Sequence, residues 1–92
     1  MIKSHSFLSA TFQLRVKPWM LKCFGQVIAD DKVERNHRFL EEALELVQST
    51  GCTADEAHKL VDYVYGRPIG DPPQEVGGVM VTLAALCLAN NM

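Results

Sequence analysis

Residues Arg35–Val47 read RNHRFLEEALELV, and this stretch decides the fold. Its apolar residues recur at steps of three and four, which is the period of an α-helix with one apolar face. Three glutamates, Glu41, Glu42 and Glu45, fall together on the opposite side. They are typical of either a solvated helix face or a divalent-metal site. Spacing alone favours the solvated face, although three carboxylates this close repel one another unless a cation lies between them.

The composition points to one small domain. The chain has 92 residues, and its 48% hydrophobic residues allow a core. A domain of this size buries a modest share of its surface and often gains stability by associating with copies of itself. The formal net charge of −2 and the scattered basic residues give no electrostatic basis for binding nucleic acid or an anionic membrane. We therefore expect a homo-oligomer, with neither nucleic acid nor membrane as a partner.

The cysteines and the apolar runs indicate a cytoplasmic protein. Cys23, Cys52 and Cys87 are odd in number and form no CxxC pair, so reduced thiols are expected rather than disulfides or a cysteine zinc site. The N-terminus has no basic region followed by a long apolar run, so we expect no signal peptide. The longest uncharged apolar run, Val76–Ala89, has 14 residues, whereas a membrane span needs ~20. We expect that run to be a buried helix.

The beginning of the chain has the weakest pattern. We predict that residues 1–17 are extended or loosely ordered. Within them, residues 11–16 alternate polar and apolar side chains, which is typical of a strand, and so short a window also permits a helix. Pro18 restricts the residue before it and suits the first turn of a helix. We place a short helix over residues 18–24 and its end at Gly25.

The central stretch belongs to a long helix with a clear start and a clear end. Asp31 and Glu34 form a D-x-x-E capping box, so the helix should begin at Lys32. Gly51 follows the last periodic residue and can adopt the left-handed conformation there. On the polar side we expect Glu34 to pair with Arg38, four residues later.

Two later helices are predicted in the same way. Thr53 caps a helix from Ala54 to about Tyr65 in a T-x-x-E box. Asp71 caps a last helix that has proline in its first turn and ends near Ala89. The helix after Thr53 has four apolar positions that we expect to be buried: Ala57, Leu60, Val61 and Val64.

These elements predict an all-α fold in a single domain over residues 1–92. The amphipathic helices and the nearly all-apolar last helix have more apolar surface than one small monomer can cover. We therefore expect dimers or tetramers whose cores resemble four-helix bundles.

Glu75 is the only ionisable residue between Gln74 and Ala89, on a helix that is apolar nearly all round. If Glu75 is buried it must be paired or bound to a metal, and near a helix start it also serves the helix dipole. Gly77 and Gly78 follow it, and each costs about 1 kcal/mol relative to alanine inside a helix. The glycines permit either a close helix–helix approach or space for a ligand beside Glu75.

Together these glutamates resemble the EExxE…ExxD signature of the MazG-like nucleoside triphosphate pyrophosphohydrolases. The first half is EEALE at residues 41–45, and the second half begins at Glu75. The resemblance covers roughly residues 19–90. The first half alone is a weak signal because many helices contain it, and its combination with Glu75 on an apolar helix is more specific.

The resemblance implies an all-α oligomer that hydrolyses nucleoside triphosphates, often deoxy or non-standard ones, to the monophosphate and pyrophosphate. Such enzymes clean the nucleotide pool and depend on Mg²⁺. On this chain the resemblance implies Glu41 and Glu42 as catalytic residues. It implies four metal ligands: Glu41, Glu42, Glu45 and Glu75.

The chain departs from the family pattern at one position. The final aspartate of the signature falls at Gly78, which has no side chain to bind a metal. Another acid, such as Asp71, Asp62 or Glu34, or a water molecule would have to replace it. The alternative is a relative that binds nucleotides without catalysis, or a structural helical oligomer.

Several other side chains are candidates for binding the nucleotide. The basic candidates for the phosphates are Arg35, Arg38, Lys59 and Arg67, and each such residue is more often a surface charge. Trp19 is a candidate for stacking on the base, although a lone tryptophan is more often part of a core or interface. The histidines share no metal-ligand spacing, and we expect surface residues or interface donors at His5, His37 and His58.

Overall fold

A computed structural model describes residues 10–92 of the chain and contains four helices. They are α1 (Ala10–Ala29), α2 (Lys32–Ser49), α3 (Ala54–Tyr65) and α4 (Pro72–Ala89). No strand occurs between residues 10 and 92. The prediction of an all-α fold is confirmed.

Both ends of α2 are as predicted from the sequence. The Asp31 carboxylate accepts a hydrogen bond from the backbone N–H of Glu34 at 3.1 Å, which satisfies one of the free donors of the first turn. The helix ends at Thr50, and Gly51 then adopts a φ of 102°. Because left-handed angles are strained for residues that have a Cβ, this position favours glycine.

A reciprocal capping box starts α3. The Thr53 hydroxyl accepts from the Glu56 N–H at 3.1 Å, and the Glu56 carboxylate accepts from the Thr53 N–H at 2.8 Å. The start of α4 uses the same device in a simpler form, because Asp71 accepts from the N–H of Gln74 at 3.4 Å and Pro72 occupies the first turn. The predicted starts of both helices are confirmed.

The prediction for the N-terminal segment is wrong for residues 10–17, which lie in α1 rather than in an extended chain. A strand needs a neighbour to satisfy its backbone, whereas a helix satisfies its own. Pro18 lies inside α1 instead of starting a new helix, and it removes the N–H that would bond the Leu14 carbonyl. Gly25 has the non-helical angles φ 81° and ψ 168°, so the predicted interruption of the helix there is confirmed, and a second helical segment continues to Ala29. The part of the prediction that concerns residues 1–9 lies outside the described residues.

The helices group into two compact units. One unit comprises the described part of α1 up to Trp19 together with Ile69–Met92, and so contains α4. The other unit is Met20–Pro68 and contains the second half of α1 with α2 and α3. Glu41, Glu42 and Glu45 therefore lie in the second unit, and Glu75 lies in the first.

The expected burial of apolar side chains is not found in the single chain. Among the residues whose exposure is described, Gly77 is the only buried one. The prediction that α3 buries its apolar positions is wrong for Leu60, Val61 and Val64, which are 57%, 49% and 47% exposed. Most side chains of α4 are likewise exposed. The apolar faces predicted from the periodicity exist, but the described chain leaves them uncovered.

Within residues 10–92, α4 is the one helix whose length and apolar composition would allow it to cross a membrane. Its 18 residues include the polar first turn that precedes the apolar run. A core helix of a soluble assembly has the same length and composition, so this finding is weak support for a membrane span.

Candidate metal and phosphate site

The three glutamates of α2 lie close enough to influence one another. The charge of Glu42 raises the pKa of Glu45 above its ordinary value of 4.5, and partial desolvation and the charge of Glu41 add to the rise. The side chains thus form an acidic cluster on one and a half turns of α2, as their spacing predicts.

Arg38 holds one member of this cluster. Its guanidinium donates from Nη1 to Glu41 Oε1 at 2.7 Å, and its Nε lies 3.2 Å from Glu34 Oε2. The predicted Glu34–Arg38 pair is therefore confirmed, and Arg38 bridges it to Glu41. Glu42 and Glu45 remain without such a cationic partner in the described contacts. Because exposed pairs of this kind contribute only about 0.3–0.5 kcal/mol, Arg38 can exchange Glu41 for a stronger partner.

The other basic candidates for phosphate binding are also engaged within the second unit. Arg35 lies over the Phe24 ring at 5.8 Å, donates to Met20 Sδ at 3.5 Å, and leaves its buried Nε without a hydrogen-bond partner. Lys59 pairs with Asp55 at 3.1 Å, and Arg67 lies 4.5 Å from the centre of the Tyr63 ring.

These contacts rank the phosphate candidates. Arg35 has a packing role on α1, since its guanidinium is held by side chains of that helix. Arg38 is the one basic candidate whose contacts include a glutamate of the acidic cluster. Trp19 is 57% exposed at the end of the first unit's part of α1. Its predicted role in base stacking stays a prediction.

Glu75 lies in the first turn of α4, where its carboxylate folds back over Gly70. A Cβ at Gly70 would collide with that carboxylate, so glycine leaves the space it occupies. Three residues after Glu75, a Cβ placed on Gly78 would meet no atom within 4 Å. Gly77, in contrast, is buried. The burial of Gly77 therefore fits a close helix–helix approach, whereas the open space at Gly78 fits room for a ligand beside Glu75.

A groove of about 880 Å³ runs between α2 and α3. Its apolar floor includes Leu40 and Leu44 from α2 and Val61 from α3. Two members of the acidic cluster, Glu41 and Glu45, line the same groove. The acidic cluster therefore borders a partly apolar cleft rather than an open helix face.

Two histidines that were expected only as surface residues or interface donors, His37 and His58, line this groove as well. His37 precedes Glu41 by one helical turn, so its position beside the cluster was available from the spacing. His58 comes from α3, and only the packing of α3 against α2 places it there. Cys52 lines the groove as well, from the turn between these helices.

The acidic side chains of α2 suit Mg²⁺ by their chemistry but not by their present arrangement. Carboxylate oxygens are the ligands that Mg²⁺ prefers, and Glu42 and Glu45 bring such oxygens together. Within residues 10–92, however, no three His, Cys, Asp or Glu side chains are arranged as a ready metal-binding group. Glu41 would first have to leave Arg38. The residue types fit Mg²⁺, and the side-chain arrangement would have to adjust.

Comparison of the chain with protein-family models, with characterised proteins and with solved structures found no match. The resemblance to the MazG-like enzymes therefore rests on the glutamates and their placement alone. The fold and the acidic cluster define the protein as an all-α chain with an acidic helix face beside a groove.

We expect opposite effects on stability when Glu45 and Glu56 are each changed to glutamine. The raised pKa of Glu45 means that its contribution is greatest below pH 4.5 and is lost as the pH rises through its folded-state pKa. Hydrogen bonds from Thr53 lower the pKa of Glu56, so its contribution is present above pH 4.5 and is lost as the pH falls through its folded-state pKa.

At neutral pH in a chelator, Glu45→Gln should therefore raise the melting temperature, and Glu56→Gln should lower it, each by on the order of 1 °C. Thermal unfolding followed by circular dichroism at pH 7 and at pH 4 measures both effects. A Glu45→Gln variant that melts lower than the wild type at pH 7 would contradict the repulsion within the cluster.

Proposed function

We propose that this chain is a Mg²⁺-dependent nucleoside triphosphate pyrophosphohydrolase that removes deoxy or non-standard nucleotides from the cytoplasmic pool. Its products are the nucleoside monophosphate and pyrophosphate. The observation that carries the proposal is the acidic cluster on α2, where the charges of Glu42 and Glu41 raise the pKa of Glu45. Carboxylates at this density are destabilising by themselves and are stabilised by a divalent cation.

The proposed roles follow from the side-chain chemistry. Glu42 and Glu45 hold the metal, and Glu41 either holds it or accepts the proton of the attacking water. When bound, Mg²⁺ neutralises charge on the phosphates and lowers the pKa of water. The resemblance makes Glu75 a further ligand, and that role stays a prediction. Water attacks the α-phosphorus, the bond to the β-phosphate oxygen breaks, and pyrophosphate leaves.

Arg38 has a natural role in this scheme. Its guanidinium is held by two exposed carboxylates, Glu34 and Glu41. If Glu41 turns to a metal, Arg38 loses one partner and gains freedom to bind a phosphate oxygen. The move of Glu41 to the metal and the move of Arg38 to a phosphate would occur together, since the nucleotide binds as its Mg²⁺ complex.

A homo-oligomer is part of the proposal. The exposed apolar side chains of α2, α3 and α4 favour association of copies, as a dimer or a tetramer with bundle-like cores. No feature of the charge distribution favours a nucleic acid polymer as a partner.

A second candidate function is a non-catalytic nucleotide-binding or structural relative of these enzymes. The open space at Gly78 favours it, because no side chain there replaces the expected aspartate. This candidate predicts binding of Mg²⁺ or nucleotide with no turnover.

The test is a panel of standard and modified nucleoside triphosphates, incubated with the chain and Mg²⁺, with pyrophosphate and monophosphate measured as products. We expect release of pyrophosphate from at least one nucleotide and its loss in a chelator. Melting temperatures with and without Mg²⁺ plus nucleotide separate the candidates, since a ligand that binds only the folded chain raises the melting temperature. A shift without turnover favours the second candidate, and neither shift nor turnover favours a structural oligomer.

A further inference from the structure

The groove between α2 and α3 has the size and the lining of a small-molecule site. Its volume of about 880 Å³ lies within the range of about 300–1,000 Å³ that such sites have. Leu40, Leu44 and Val61 supply an apolar floor, and they are 52%, 43% and 49% exposed. Sites of this kind combine an apolar lining with a few polar groups that orient the ligand. The polar side chains along the groove therefore indicate which class of ligand it suits.

The charged side chains of the groove lie in one part of it. Arg38, Glu41 and Glu45 come from successive turns of α2 and all line the groove. Gln48 lines it one turn further along α2, and the lining residues from Val47 to Ala54 carry no charge. A ligand that fills the groove therefore has a charged part, which suits phosphates and a cation, and a neutral part beside Gln48.

Gln48 offers that neutral part a free amide. Its side chain makes no hydrogen bond within residues 10–92, whereas the Thr53 hydroxyl at the same end is engaged with Glu56 at 3.0 and 3.1 Å. An amide presents N–H donors beside an acceptor oxygen. Adenine presents the complementary pair, a donor at N6 beside an acceptor, and glutamine pairs with it through two hydrogen bonds. The neutral end of the groove therefore matches the edge of an adenine ring.

The order of the groups along α2 agrees with the order of the groups in a nucleotide. With the base against Gln48, the α-phosphate, which is the phosphate nearest to the base, lies toward Glu45. The outer phosphates then lie toward Arg38, which is one helical turn before Glu41. The flat face of the base meets the apolar floor. A purely apolar ligand, in contrast, would leave the charged part of the groove without a partner.

We propose that the α2–α3 groove binds the base of an adenine nucleotide and that Gln48 selects this base through its amide. The inference rests on the proposed function and deepens it, since it names the class of nucleotide that the acidic cluster would act on. Gln48 is in this scheme a specificity-determining residue, and Leu44 and Val61 form the floor under the ring.

The test is titration calorimetry with deoxyadenosine monophosphate and deoxyguanosine monophosphate in a chelator, where no metal or turnover is involved. We expect the wild type to bind the adenine nucleotide about tenfold more tightly or better. In Gln48→Glu the new carboxylate only accepts hydrogen bonds. It opposes the ring acceptor of adenine and suits the two adjacent N–H donors of guanine, so the preference should reverse. Gln13→Glu makes the same change at an exposed position of α1 and should keep the wild-type preference.

A second pair of variants tests the floor and covers the case in which circular dichroism shows that Gln48→Glu has lost its helices. Val61→Gln puts a polar amide on the floor and should weaken the binding of both nucleotides about fivefold or more, since apolar contact with the base is lost. Val81→Gln is the matched control on α4, where the valine is 66% exposed, and it should bind both nucleotides as the wild type does.

Four results would overturn the proposal. They are no binding of the adenine nucleotide, equal binding of the two nucleotides, a folded Gln48→Glu variant that still prefers adenine, and a folded Val61→Gln variant with wild-type affinity. The binding does not depend on catalysis. Selective binding without turnover of any triphosphate would count against the proposed enzyme and leave this base site standing. Turnover that is indifferent to the base and to Gln48→Glu would do the reverse.

Discussion

Glu42→Gln should reduce both Mg²⁺ affinity and pyrophosphate release by at least about a hundredfold, since changes even to residues that only support metal ligands cost 10–100-fold. The substitution keeps the size of the side chain and removes the charge that acts most strongly on Glu45. Titration calorimetry with Mg²⁺ and the rate of pyrophosphate release measure the two effects. The fold should be unaffected, because Glu42 is exposed on α2.

The matched control for this prediction is Asp55→Asn on α3. It makes the same change from carboxylate to amide at an exposed position, where Asp55 pairs with Lys59 at 3.1 Å. Activity should stay within about twofold of the wild type, since an exposed pair of this kind contributes little. If Glu42→Gln and Asp55→Asn lower turnover equally, the acidic cluster has no special role in the reaction.

If the proposed function holds, Gly78→Asp should strengthen Mg²⁺ binding about tenfold or more and raise turnover, because it supplies a carboxylate three residues after Glu75, where the signature that the chain resembles has one. The structure has room for the new side chain, since a Cβ there meets no atom within 4 Å. Aspartate is also no worse than glycine inside a helix, so stability should change little. Mg²⁺ titration and steady-state rates on the best nucleotide of the panel measure the gain.

Thr82→Asp is the control for added charge, because it places the same carboxylate one turn further along the same face of α4. The Thr82 hydroxyl now bonds only to the carbonyls of its own helix, at 2.9 and 3.2 Å, so its loss is tolerable. An equal gain from both variants would indicate a general effect of negative charge. No gain from Gly78→Asp would count against a metal-binding role for this position.

The exposed helices change how the acidic cluster is interpreted. From spacing alone, the three glutamates were more typical of a solvated face, and Arg38 does bridge two carboxylates there. The same face, however, borders a groove with an apolar floor. A fully solvated helix face would not border an apolar groove. The cluster therefore lies at the edge of an exposed apolar groove, and this position supports the proposed binding role.

The starts of three helices could be predicted from the sequence because each depends on residues only three positions apart. Asp31, Thr53 and Asp71 each accept a hydrogen bond from the third residue after them. Gly51 marks the end of α2 for an equally local reason, since its φ of 102° favours a residue without a Cβ. The acidic cluster is local as well, because residues 41, 42 and 45 share successive turns of one helix.

The course of α1 could not be predicted in this way. Its first part has a pattern that fits either a helix or a strand, and the choice depends on whether a neighbouring strand exists to pair with it. Between residues 10 and 92 there is none. Pro18, which indicated a helix start, is an interior position because the helix already runs before it, whereas Gly25 does interrupt the helix where an end was predicted.

By itself, the sequence determined the all-α class, the capped starts of α2, α3 and α4, and the grouping of the three glutamates. Each follows from hydrogen bonds and charges within about one helical turn. Only the tertiary structure decided that Arg35 packs on Phe24, that His58 joins the groove beside Glu41, and that the apolar face of α3 stays uncovered. These features depend on which residues distant in the chain come together, and the helical period says which face is apolar but not what covers it.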